Sequence, residues 1–253
     1  MFKHQGPSRS PRQNAILAAY LAFVAGFVNS AGFVLIGSFT SHVTGNVGRL
    51  ANDIASSDAD AATGALTMIA AFFVGAFVAS MIIESDALGT VAYAYGAALA
   101  VEASLLVAFI LAFAGIAGGY LLHDYEGALL CGAMGMQNSL VTRLSGAVVR
   151  TTHLTGVITD LGIEGARWFR WWRSSASEAW GVRLAFGRIA SPRPPAARIV
   201  LLATIAGAFL VGAVAGAASG VVWRHLALLF PAICLAAGAG YAFSTGKSGA
   251  SLR

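Results

Sequence analysis

Charge is what this chain has least of. Only 11% of its 253 residues are Asp, Glu, Lys or Arg, where a soluble globular domain carries about a quarter, and 57% are hydrophobic. A water-facing surface cannot be built from so few charges, so the composition points to an integral membrane protein. Cysteine is nearly as scarce. Cys131 and Cys234 both fall inside apolar runs, which excludes a disulfide framework or a Cys-based metal site and leaves two small buried hydrophobes. Short catalytic signatures are missing too: there is no P-loop, no His-Glu-x-x-His, no Cys-x-x-Cys and no Gly-x-Ser-x-Gly elbow. The spacing of Ser, His and Asp160 does not recommend an intramembrane hydrolase. No enzyme, cofactor or metal site is expected.

Scarcity makes the placement of charge informative. Of the 16 Lys and Arg, 13 lie in the two termini or between Arg150 and Arg198. The basic balance therefore reflects loops against an anionic leaflet, and no nucleic acid is expected as partner. Six apolar stretches remain, over about Ala15–Ile36, Ala65–Ile83, Thr90–Ala114, Ala128–Leu144, Ile199–Val222 and Leu226–Ser244. The first runs 22 residues without a charge, or roughly 33 Å as a helix, which spans a bilayer core. It is too long for a signal peptide, and its Asn29, Ser30 and Gly32 predict local unwinding. Residues 1–13 read as a polar, frayed end, and His123, Asp124 and Glu126 as a short loop. The segment of about 164–198 interleaves Trp168, Phe169, Trp171, Trp172 and Trp180 with Arg167, Arg170, Arg173 and Arg183, as a helix in the headgroup layer does. Pro192, Pro194 and Pro195 end it. Gly207, Gly212, Gly216 and Gly220 predict a close-packing helix face.

Two stretches are nearly the same stretch. Thr40 to Leu50 reads TSHVTGNVGRL and Thr151 to Leu161 reads TTHLTGVITDL, a constant offset of 111 positions. Thr40/Thr151, His42/His153, Thr44/Thr155, Gly45/Gly156 and Leu50/Leu161 are identical, and two of only five His in the chain fall in matched frames. Upstream, Gly26-Phe-Val-Asn29-Ser30 echoes Gly135-Met-Gln-Asn138-Ser139 at an offset of 109. The chain is thus read as an internal duplication within one membrane domain, with repeats of about 14–119 and 126–244. Six spans return both termini to one side, and the positive charge makes that side cytoplasmic. Three spans per repeat, an odd number, insert the second repeat in the opposite sense. The fold class predicted is an all-α polytopic membrane protein, six transmembrane helices as two inverted three-helix repeats with helix breaks at the repeated motifs.

Thr and Gly favour helix starts and breaks, and backbone N–H groups at such a start hold polar or anionic groups. Thr44 and Thr155 are the expected N-caps. Caps alone account for Thr and Gly but not for the paired His42 and His153, for which a ligand contact, a proton path and bonds to backbone carbonyls all stay open. Asn29, Ser30, Asn138 and Ser139 serve either interhelical bonds or a polar lining. With His42, Thr44, Gly45, His153, Thr155 and Gly156 they form the predicted substrate-binding set. Glu102, an ionisable group mid-helix with no counterpart in the other half, costs at least about 2.5 kcal/mol to insert; it is the proton-coupling candidate, or else a protonated acid bonded to a neighbouring helix.

The motifs GFVNSAGF, FTSHVTGN, GMQNS and TTHLTGVITDL resemble those of the YoaK family of bacterial inner-membrane proteins, known by a domain of unknown function, over about Leu17 to Gly240. Asn29 stands where that family usually has Asp. The resemblance implies six helices and an inner-membrane location and supplies no substrate. Two functions are therefore expected side by side: a secondary transporter or channel for a small solute, anionic ones included, bound between the repeats, or a membrane scaffold whose working surface is the Trp/Arg segment. The lipid bilayer is the expected partner, and the sequence leaves homo-oligomers open.

Overall fold

The computed structural model describes residues 10–115, 123–145, 151–179 and 193–250. Among them are eight α-helices and no strand: α1 Pro11–Ile36, α2 Val43–Ala55, α3 Ala59–Ile83, α4 Val91–Gly115, α5 His123–Ser145, α6 Leu154–Ala179, α7 Ala196–Trp223 and α8 Leu229–Ala250. Short 3₁₀ turns, Asp86–Leu88 and Arg224–Leu228, precede α4 and α8. Four segments are long and apolar enough to cross a membrane: Pro11–Ile36, Ala59–Ile83, Val91–Ala114 and Ala196–Lys247. The last holds two helices, because Arg224 sits at φ 52° and breaks it. On α3 and α7 the outward faces are apolar, with Phe73, Phe77, Leu210, Val214 and Val221 exposed. Such faces fit a membrane protein.

Several local expectations change. α1 starts at Pro11 and not near Ala15, because Ser10 caps it: Gln13 N donates to Ser10 Oγ at 3.2 Å and Ser10 N to Gln13 Oε1 at 2.9 Å. This is a capping box with Pro at the first helical position, a start signal the polar composition hides. α1 is also unbroken through Asn29 and Gly32 and ends where Gly37, at φ 71°, donates to Phe33 O. His123, Asp124 and Glu126 belong to α5 rather than to a loop. The Trp/Arg segment up to Ala179 is a continuation of α6, which starts inside the second motif; its remainder at 180–192, with Trp180, Arg183 and Pro192, lies outside the described residues. α7 starts directly after Pro194 and Pro195.

In a bilayer, helices gain nothing by hiding apolar groups from one another, so close packing and hydrogen bonds hold them together. Glycine provides the closeness. A Cβ on Gly26 of α1 would run into the carbonyl of Phe209 on α7, and Cβ atoms on Gly212 and Gly216 of α7 into the carbonyls of Phe23 and Phe27. The same contact recurs between α5 and α3: Gly135 against the carbonyl of Phe72, and Gly75 against that of Gly132. Gly207 does not join the expected face, since nothing lies within 4 Å of a Cβ there.

These contacts fix helix directions. Along α1, Phe23, Phe27 and Val34 meet Gly212, Gly216 and Gly220 in turn, so α1 and α7 run parallel. Along α5, Gly127 and Gly135 meet Met68 and Phe72, so α5 and α3 run parallel as well. Between α1 and α5 the order reverses. Gln137 Nε2 donates to Leu21 O at 2.6 Å, whereas Gly32 lies beside Leu130 and Ile36 beside Gly127. α4 and α8 are likewise antiparallel, with Gly246 beside Tyr93, Phe243 beside Gly96 and Gly238 beside Leu99.

Candidate functional site

The two motifs are built alike. After α1 the chain folds back until Ser41 reaches Asn29, whose Oδ1 accepts from Ser41 N at 3.1 Å and from Ser41 Oγ at 2.9 Å. After α5 it folds back until Thr152 Oγ1 donates to Asn138 Oδ1 at 2.5 Å. Thr40 and Thr151 are buried beneath these turns. From Thr40 to Gly48 and from Thr151 to Thr159, burial follows the same pattern position by position: the first Thr inside, His, Thr and Gly exposed, then Asn46 or Val157 inside.

The helix starts fall two residues earlier than the expected Thr caps. His42 is the N-cap of α2 and makes no side-chain cap bond; its carbonyl accepts from Asn46 N at 3.2 Å, as the carbonyl of His153 accepts from Val157 N at 3.1 Å. Thr44 and Thr155 lie within the first turn. The asparagines on α1 and α5, not a local hydroxyl, set where each helix begins. The first-turn N–H groups of α2, which no helical carbonyl reaches, therefore have no side-chain cap.

Both starts open into one cavity of about 760 Å³, lined from the first motif by Ser41, His42, Val43 and Thr44 and from the second by Thr152, His153, Leu154, Thr155, Gly156 and Val157. Phe72, near the middle of α3, and Leu201, Leu202 and Ile205 of α7 supply apolar wall. Asp160 and Arg198 add the charged lining. Arg198 Nη2 lies 3.4 Å from Asp160 Oδ2 and its Nε 3.4 Å from Glu164 Oε1, and Arg167 Nη1 lies 2.9 Å from the same Glu164 oxygen.

Of the predicted residues, His42, Thr44, His153, Thr155 and Gly156 thus share the cavity. Gly45 stands behind His42, where a Cβ would lie 2.5 Å from Nδ1 of the imidazole. Asn29 and Asn138 anchor the turns. Ser139 Oγ is 2.8 Å from Ser80 Oγ of α3, and Ser30 is not among the lining residues. Glu102 is away from the cavity, fully buried in α4, and neither carboxylate oxygen has a hydrogen-bond partner among the described residues. The Tyr20 hydroxyl of α1 donates to Cys234 O of α8 at 2.6 Å. Among the described residues no group of three or more His, Cys, Asp or Glu is placed to hold a metal.

Sequence reasoning missed Phe72, Asp160 and Arg198 as lining. It also missed that Ser41 and Thr152 do the anchoring, although their place inside the repeat, at similar distances from the upstream asparagines, was a signal.

Chemically, the cavity combines two helix N-termini, threonine hydroxyls, two imidazoles and the Asp160–Arg198 pair with apolar walls. Such a lining can hydrogen-bond a small polar group. A family model described as "Protein of unknown function (DUF1275)" matches residues 17–241. No curated protein and no solved structure matches the chain.

Proposed function

We propose, for a chain that belongs to the DUF1275 family and takes no activity from that membership, a secondary transporter or channel for a small solute held between two inverted repeats. The observation that carries this reading is that His42 and Thr44 face the same cavity as their counterparts His153 and Thr155. Two short-range helix starts aimed from opposite halves at one space suit a solute path, because each N-terminus adds roughly 0.3–1 kcal/mol of attraction for negative charge. The antiparallel run of α1 against α5 and of α4 against α8 supports the inverted relation. Six spans follow when Ala196–Lys247 is counted as two and the largely buried α5 is added. The YoaK likeness agrees with an inner-membrane location, and the basic segments with cytoplasmic termini.

The test is uptake by the purified protein in proteoliposomes across a panel of anionic, neutral and cationic solutes. Saturable uptake of at least one supports transport; binding and flux absent across the whole panel would sink it. That outcome would favour the scaffold reading, for which the exposed Phe169 and Trp172 of α6 speak.

Sidedness has its own measurement. With native cysteines removed, a cysteine at Asp58 is expected to react with an impermeant thiol reagent added outside intact cells, and a cysteine at Arg173 only after lysis. Both positions are exposed. The reverse pattern would overturn the assigned sides.

Glu102 is proposed to carry the coupling proton, since a sealed carboxyl with no hydrogen-bond partner among the described residues is costly unless neutral. Glu102→Gln is expected to flatten the pH dependence of uptake while leaving the protein folded. An unchanged pH profile would reduce Glu102 to a packing element.

A further inference from the structure

We infer that the cavity takes a small oxyanion, a carboxylate or phosphate group, and that Arg198 is the side chain that selects it. This rests on the transport reading of the same cavity and adds the class of solute to it. Arg198 stands in the first turn of α7 and reaches across to α6, 38 residues from its partner Asp160. It is the one Lys or Arg among the lining residues described, and Asp160 the one carboxylate.

The ion pairs around it are unequal in a way that leaves Arg198 available. Glu164 is 1% exposed and already holds Arg167 at 2.9 Å, so it stays paired when Arg198 turns away. Asp160 and Arg198 have side chains 43% and 52% exposed and meet only at 3.4 Å, a loose pair of the kind that solvent nearly dissolves. A solute oxyanion can therefore replace Asp160 on the guanidinium, whose planar fork offers two parallel N–H bonds to such a group. Asp160, reaching solvent, loses little. The hydroxyl of Thr155 and the start of α6 line the same cavity and favour the same sign of charge.

A cation entering here could pair with Asp160 only beside the guanidinium and two helix N-termini, all of which repel it. A neutral solute would leave the Asp160–Arg198 pair closed. The first repeat offers no second arginine for the role: matching Gly75 with Gly212, which make like contacts, puts Ala61 of α3 at the position of Arg198, and Arg49 is turned to Ser38 and Asp53 at 3.0 and 3.5 Å.

The experiment is calorimetric titration of the full chain in nanodiscs of purely zwitterionic lipid, with sodium phosphate and sodium acetate at constant ionic strength. Wild type is expected to bind at least one of them, Arg198→Gln about tenfold or more weakly, and Arg198→Lys in between, because the charge remains and the fork is lost. Asp160→Asn is expected to bind several-fold more tightly, since it removes the competitor; misfolding cannot imitate a gain. If Asp160→Asn gains nothing and Arg198→Gln binds like wild type, the role of Arg198 is refuted. Gly156→Val, which fills the cavity, separates the two levels of inference. Loss of oxyanion binding in that variant alone leaves the cavity as the site and removes Arg198 from it. Failure of wild type to bind either probe, with uptake of a neutral solute still blocked by Gly156→Val, refutes the oxyanion and keeps transport.

Discussion

Gly135→Val is expected to leave no folded protein. The Cβ of any residue there would overlap the backbone carbonyl of Phe72, with Ala76 N 3.1 Å away as well, and a backbone carbonyl inside a helix cannot step aside as a side chain does. α5 and α3 would have to separate along their whole parallel contact. Overpacking a core usually costs about 1–3 kcal/mol; here rigid backbone is in the way, so the loss exceeds that range and approaches the roughly 5–15 kcal/mol that keeps a protein folded at all. Gly26→Val and Gly212→Val should behave the same way at the α1–α7 contact. Gly207→Val, on the same helix as Gly212 and meeting nothing, is the control. The measurement is the monodisperse fraction on size exclusion after detergent extraction. A Gly135→Val protein eluting and melting like wild type would mean that these helices do not touch as described.

Gly156→Val should have the opposite character: normal folding, lost function. Among the described residues no atom lies within 4 Å of a Cβ at Gly156, and valine is no worse than glycine within a helix. Its branched side chain would project into the cavity that Thr155 and His153 also line. Uptake or solute binding is expected to fall at least tenfold, with the melting temperature within a few degrees of wild type. Gly45→Ala offers a graded comparison. It pushes on the His42 ring without entering the cavity, so its effect should be smaller and confined to whatever His42 does. Equal activity of Gly156→Val and wild type would remove the cavity from the function.

The repeated motifs were legible in the sequence because function-like residues, two His among five, recur in frame. That they share a cavity was legible only through the proposed duplication, since nothing local measures the distance between Thr44 and Thr155. The glycine contacts show why more was hidden. Gly75 and Gly212 make like contacts, and Ala71-Phe-Phe-Val-Gly-Ala76 of α3 does echo Ala208-Phe-Leu-Val-Gly-Ala213 of α7, but at an offset of 137 against the motifs' 111 and inside runs of common apolar types, where so short an echo carries little signal. Arg198 was invisible for another reason: it reaches the site only because α6 and α7 lie side by side, so that a residue 38 positions from Asp160 returns to it. The misplaced N-caps have the same origin. Local rules put the helix start at Thr, and a tertiary bond from Asn29 or Asn138 moved it.

The parallel pairing of α1 with α7 sets a schedule for biosynthesis. Gly26 emerges early, but the backbone it is shaped to meet, around Phe209 and Gly212, comes roughly 190 residues later, or about 10–40 s at ordinary translation speed. Through that interval the first helix waits in the bilayer with its glycine side uncovered. α5, by contrast, finds α3 already made. A ribosome stalled beyond α5 but short of α7 would therefore leave one glycine crossing closed and the other open, a product for quality-control proteases to recognise.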